Sequence, residues 1–126
     1  ATLRLATPKI AIVTKPISYT SASGQLLNQK VMNICTRFFS MGKAHHAIPA
    51  TGAIALATGA CIAGTIPNLL ASKPTDKNIT IAHAAGLMEL SISVSDELKV
   101  SNAKIHRTAR TLMRGEVLAR LKITSG

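Results

Sequence analysis

The chain has 126 residues, a formal net charge of +10 and 47% hydrophobic side chains, enough apolar material for one packed domain and too much for a disordered tail. Its only aromatics are Tyr19, Phe38 and Phe39, too few for a base-stacking platform. Cys35 and Cys61 lack CxxC spacing and fall within apolar patterns that read as helical, so both are expected as buried reduced thiols in a compartment that is not strongly oxidising.

The charge is unevenly spread. No Asp or Glu precedes Asp76, whereas Arg4, Lys9, Lys15, Lys30, Arg37, Lys43 and Lys73 all do. A field of one sign on a small domain favours a polyanionic partner, with RNA or DNA ahead of an anionic membrane surface. The acid-poor opening ATLRLATPK resembles the remnant of an organellar presequence and points to a mitochondrion.

In chain order, Lys9 to Thr14 is β-rich and weakly alternating, a strand closed by Lys15-Pro16. Ser18 to Gly24 reads as a loop. Leu27, Val31, Ile34, Cys35 and Phe38 recur at helical spacing, which predicts an amphipathic helix over Gln25 to Met41 with Gly42 as its stop. Ala44 to Ala50 is expected as a short buried strand, Thr51-Gly52 as a turn, and Ala53 to Leu70 as a second helix. Gly59 and Gly64 there imply close packing, and Pro67 a kink or an early end. The uncharged run 44–72 lies between Lys43 and Lys73, but its Ala/Gly/Thr composition and its His and Pro interruptions disfavour a membrane span. Asn78 to His83 and Met88 to Val94 alternate and are joined by Ala84-Ala85-Gly86, a hairpin. Met88, Leu90, Ile92 and Val94 should face the core. Ser95-Asp96-Glu97, or Ser101, opens a predicted basic helix reaching Lys122, with Gly115 as a break.

The resulting order, β-α-β-α-β-β with a basic tail, resembles the Alba family of small nucleic-acid-binding proteins. Lys15-Pro16 follows the first strand where that family places a Lys, and Ala50-Thr51-Gly52-Ala53-Ile54 is similar to its A-x-G-x-A-I turn. The resemblance implies an α+β two-layer sandwich over residues 9–95, after an N-terminal extension (1–8) and before a basic C-terminal helical extension (96–126). It also implies a non-catalytic RNA-binding (or DNA-binding) protein that forms an Alba-like homo- or heterodimer and serves as a subunit or assembly factor of a ribonucleoprotein, such as a mitochondrial ribosome or RNA-processing particle. The sequence departs from the family in lacking a basic residue beside Gly52 and a long basic hairpin.

On this reading Lys15, Lys30, Arg37 and Lys43 contact nucleic acid from the core. Lys99, Lys104, Arg107, Arg110, Arg114, Arg120 and Lys122 do so from the tail, the arginines sharing a helix face. Gly52, Gly59 and Gly64 serve turns and packing. No metal or cofactor is expected. Adjacent His45 and His46 point to opposite sides of a strand, and His83 and His106 are distant. No acidic pair and no phosphate loop specifies catalysis. Two other readings are a structural subunit pairing through the Ala/Gly-rich second helix and a small membrane-embedded subunit.

Overall fold

The computed structural model describes residues 8–73, 78–95, 97, 99–107, 109–116 and 118. Its elements are β1 (Ile10–Thr14), β2 (Tyr19–Thr20), β3 (Leu26–Leu27), a 3-10 turn (Gln29–Val31), β4 (Ile34–Ser40), β5 (Lys43–Ala44), α1 (Ala50–Cys61), α2 (Ile66–Leu70), β6 (Asn78–His83), β7 (Gly86–Val94) and β8 (Val100–Ile105). The main sheet runs β1-β4-β6-β7-β8, with β5 hooked onto β4, and β2 and β3 form a separate hairpin. The β4–β6 pair is parallel, with Ile34 opposite Ile81 and Cys35 opposite Ala82, and the other pairs are antiparallel. A parallel pair needs a crossover, which α1 and α2 supply on one face.

Period-two alternation decides which side chains meet that crossover. Ile34 and Phe38 of β4, Ile79 and Ile81 of β6, and Leu90 and Ile92 of β7 bury against Ala53, Leu56, Ala57 and Ala60 of α1. Met88 and Val94 pack around the same core. Small residues on α1 allow the backbone to approach the sheet closely. The opposite face carries a smaller cluster of Leu27, Met32, Cys35 and Ala82, roofed by Tyr19 from the β2–β3 hairpin.

Several elements differ from the sequence-based expectation. The predicted helix over Gln25 to Met41 is a hairpin strand, a 3-10 turn and β4. The Asn28 side chain accepts the Lys30 N–H and closes the 3-10 turn. Beyond it, Ile34 to Phe39 is buried on both faces apart from Arg37, so its apolar spacing imitates a helix. Cys35 is therefore a buried strand residue, while Cys61 ends α1, half-buried, and burial pushes its thiol up.

The expected strand over Ala44 to Ala50 is reduced to the two residues of β5, and helix begins at Ala50, so Thr51-Gly52 is a first turn of helix rather than a separate turn. The second helix is broken into α1 and α2 at Gly64, which has φ +80°. Gly59 faces Pro67, where an added Cβ would lie 3.2 Å from Cγ. No helix among the described residues is long and apolar enough to cross a membrane.

The basic helical extension is not present among the described residues. Val100 to Ile105 is β8, antiparallel to β7, and residues 109–116 form neither helix nor strand. Arg107, Arg110 and Arg114 thus share no helix face. The two-layer β-α-β-α-β-β arrangement gives way to a mixed sheet of six strands with one helical crossover.

Candidate functional site

Helix α1 starts over the carboxyl end of β4. Gly52 makes this approach possible, because its Cα faces the Phe38 ring and leaves no room for a side chain. The Phe38 ring also meets His45 edge to face at 5.9 Å. The His45 N–H donates to the Phe38 carbonyl at 2.7 Å, which holds the 45–49 segment against the strand. At the carboxyl ends of parallel strands, loops and helix starts converge into a natural ligand crevice.

The α1 N-terminus itself is uncapped. Pro49 occupies the cap position with no side-chain cap, and the first turn holds no acidic residue. The first intrahelical bond runs from the Ala53 N–H to the Pro49 carbonyl at 2.9 Å. The N–H groups of Ala50, Thr51 and Gly52 therefore point off the helix end, where the macrodipole adds about half a positive charge. Such an end suits an anionic oxygen group.

His83 closes β6 on the same side. Its Nδ1 accepts the Ala85 N–H at 3.2 Å, so the neutral ring carries its proton on Nε2. Among the described residues Nε2 has no hydrogen-bond partner and is not a sealed buried atom, so it can donate to a ligand. Burial, with smaller contributions from the Arg37 and His46 charges, holds the ring below the ordinary histidine range. Carrying the β4–β6 register forward by two residues places His83 beside Thr36. The Arg37 guanidinium donates to the Thr36 carbonyl at 2.9 Å and lies 5.1 Å over the Tyr19 ring. The Tyr19 hydroxyl shares its one proton between the His83 carbonyl at 2.5 Å and the Gly86 carbonyl at 3.1 Å. At the carboxyl ends of β4 and β6, the free α1 N–H groups and His83 thus lie on the α1 side of the sheet, while Arg37 lies on the opposite face over Tyr19.

The residues expected to contact nucleic acid come from different parts of the fold. Lys15, Lys30, Arg37, Lys43, Lys104, Arg107, Arg110 and Arg114 are exposed on separate elements. Lys99 pairs with Glu97 at 2.6 Å. Arg120 and Lys122 lie outside the described residues. Of the cationic set, Arg37 lies near the carboxyl end of β4, on the face that carries Tyr19. Among the described residues no group of His, Cys, Asp or Glu has the arrangement of a metal site. His83 and Tyr19 were not picked out as functional from the sequence, because their roles depend on the β4–β6 pairing and on hairpin docking.

The protein-family model described as "PrpF protein" matches residues 1–120. The chain belongs to the PrpF family. The 2-methyl-aconitate isomerase of Shewanella oneidensis is 38% identical over 120 residues, 93% of this chain and 30% of that protein. The 3-methylitaconate isomerase of Eubacterium barkeri is 32% identical over 112 residues, 87% of this chain and 29% of that protein. The crystal structure of a methylitaconate-delta-isomerase superposes with a TM-score of 0.75 at 31% identity, covering 89% of this chain and 29% of that one. The chain thus spans about 30% of the length of the relatives it matches.

PrpF membership replaces the Alba resemblance and what followed from it. The relatives are named as isomerases acting on small molecules. The expectations of a non-enzymatic RNA-binding protein, a ribonucleoprotein subunit and RNA or DNA as partner are therefore corrected. So is the Alba-like dimer. The Ala50 to Ile54 motif that carried the resemblance is the start of the PrpF-type helix, and a Gly in a tightly packed first turn is common to unrelated folds. The pairing surface assigned to the Ala/Gly-rich helix is also used up internally, since Ala53, Ala57 and Ala60 pack on the sheet.

Proposed function

We propose that this chain supplies a carboxylate-recognition site of a PrpF-type isomerase that shifts a carbon–carbon double bond within an unsaturated di- or tricarboxylate. The observation that carries this is the uncapped α1 N-terminus, with three outward N–H groups and no acidic neighbour in its first turn. A planar carboxylate seated there accepts from the Thr51 and Gly52 N–H groups. The His83 Nε2–H serves a second carboxylate or its far oxygen. Double-bond migration removes a proton from one carbon and delivers one to another. N–H donors around the carboxylate lower the cost of the anionic charge that develops between these two steps.

The net charge supports the same reading in a different way from the one first drawn from it. A cationic domain steers small polyanionic substrates as well as polynucleotides. The test is incubation of the protein with 3-methylitaconate in heavy water, followed by proton NMR. Loss of the vinyl signal with gain of a vinylic methyl signal, abolished by His83→Ala, is the expected result. An unchanged spectrum together with no chemical-shift response of the α1 amides would overturn the proposal.

A further inference from the structure

The sheet face away from α1 carries a groove that the isomerase reading does not use. At the amino ends of β4 and β6, two depressions of about 390 and 570 Å³ share Val31, Thr80 and Glu89 and so form one trough. Lys30 and Lys73 stand at one end. His106 and Arg107 stand at the other. The trough runs from β4 across β6 and β7 to the end of β8, three strand spacings of about 4.8 Å, so the backbone at its two ends is about 14 Å apart. It lies five strand residues before Phe38, about 16 Å from the α1 N-terminus along β4.

Its floor is held by hydrogen bonds rather than by loose side chains. The Asn33 Oδ1 accepts the Thr80 N–H at 2.8 Å while its Nδ2 donates to the Ser72 carbonyl at 3.2 Å. The Ser91 hydroxyl donates to Asn78 Oδ1 at 2.5 Å, leaving its oxygen 3.2 Å from His106 Nε2 as an acceptor. The His106 N–H donates to the Glu89 carbonyl at 3.0 Å, which anchors the Arg107 end to β7. Among the described residues, three cations and an imidazole thus line the groove with a single carboxylate, Glu89. Among the described residues the ion pair present is Lys99–Glu97, so the groove's charges are not spent on one another.

We propose that this groove is a second ligand site, taking a small molecule with a phosphate group at each end. The two lysine ammoniums are point charges with three donors each, which match a tetrahedral dianion. Arg107, with His106 beside it, takes the second phosphate. Glu89 sits between the two ends, opposes anions and accepts from a hydroxyl on the body of the ligand. The site is separate from the carboxylate site at the α1 N-terminus, and ligand binding here does not require that site to be a catalytic centre.

Titration calorimetry of the protein with fructose 1,6-bisphosphate and with inorganic phosphate tests the proposal. The bisphosphate should bind about tenfold or more tightly than phosphate, because both ends are engaged. Lys73→Ala and Arg107→Ala should each weaken it about tenfold, the loss of one charge-assisted hydrogen-bonding group. Glu89→Gln should tighten it, and Lys43→Ala, on β5 outside the groove, should leave it unchanged. Equal binding of the two probes would overturn the proposal. So would a Lys43→Ala loss as large as that of Lys73→Ala, which would reveal diffuse attraction to a protein of net charge +10. Neither outcome bears on the response of the α1 amides to dicarboxylates.

Discussion

Gly52 and Phe38 meet so closely that a methyl group on Gly52 would lie 2.9 Å from the ring's Cε2. This contact sets the height of α1 over the sheet and the direction of its free N–H groups. Gly52→Ala gains about 1 kcal/mol in helix propensity and loses about 1–3 kcal/mol to overpacking. The expected net result is a loss of about 1 kcal/mol on chemical denaturation, with a larger relative loss of dicarboxylate affinity because the helix end shifts.

Leu90 is fully buried where β7 crosses beneath α1. Leu90→Ala should cost about 2–5 kcal/mol, from lost transfer energy and the cavity left behind. Urea denaturation followed by circular dichroism measures it. By contrast, Leu69, exposed on α2, should tolerate Ala within about 0.5 kcal/mol.

The corner between α1 and α2 is a small hydrogen-bonded unit. Asn68 donates from Nδ2 to the Ala60 carbonyl at 2.8 Å and accepts the Gly64 N–H at 3.3 Å. The Thr65 hydroxyl donates back to the Gly59 and Ile62 carbonyls. Asn68→Ala should lower stability by about 1–2 kcal/mol and speed amide exchange at residues 59–65, read by hydrogen-exchange mass spectrometry.

His83 gives the fold a pH dependence with a defined sign. Its folded-state affinity for protons lies below that of the unfolded chain. Above the ordinary histidine range both states are neutral and the group has no effect. As pH falls through about 6.5, the unfolded state binds the proton first, so stability drops until the lowered folded value is passed. Protonation also removes the acceptor for the Ala85 N–H. Melting temperature should therefore fall more steeply between pH 7 and 5 in the wild type than in His83→Gln.

Tyr19 links the hairpin to the β6–β7 turn through two carbonyls. Tyr19→Phe keeps the ring under Arg37 and removes those bonds, for an expected loss of about 1–2 kcal/mol in a denaturant titration. Tyr19→Ala should lose more, since the roof over Cys35 and Leu27 goes with it.

What the sequence disclosed follows from how local each signal is. β1, β6 and β7 were legible because Ile79, Ile81, Leu90 and Ile92 alternate cleanly with polar or small neighbours. β4 was not, because a strand buried on both faces has no alternation. Leu27, Val31, Ile34 and Phe38 then fall at helix-like intervals by chance. β8 was hidden by Lys104, Arg107, Arg110 and Arg114, whose spacing mimics a helix face although the first sits on a strand and the others beyond it. Gly52 was read as a turn glycine, whereas it lies in the first turn of α1 against Phe38, a residue that was placed on a helix and sits on β4. His83 acquires its neighbours from the parallel pairing of Ile34 with Ile81, a contact between distant segments that no local pattern encodes. The charge asymmetry was real, yet net charge speaks to the sign of a partner and not to its size.

The most direct measurement of the central claim is a two-dimensional amide NMR titration of the protein with itaconate. Saturable shifts centred on the Thr51 and Gly52 amides, lost on His83→Ala more than on Lys43→Ala, are the expected result. Shifts absent from α1, or confined to the arginines at 107–114, would contradict it.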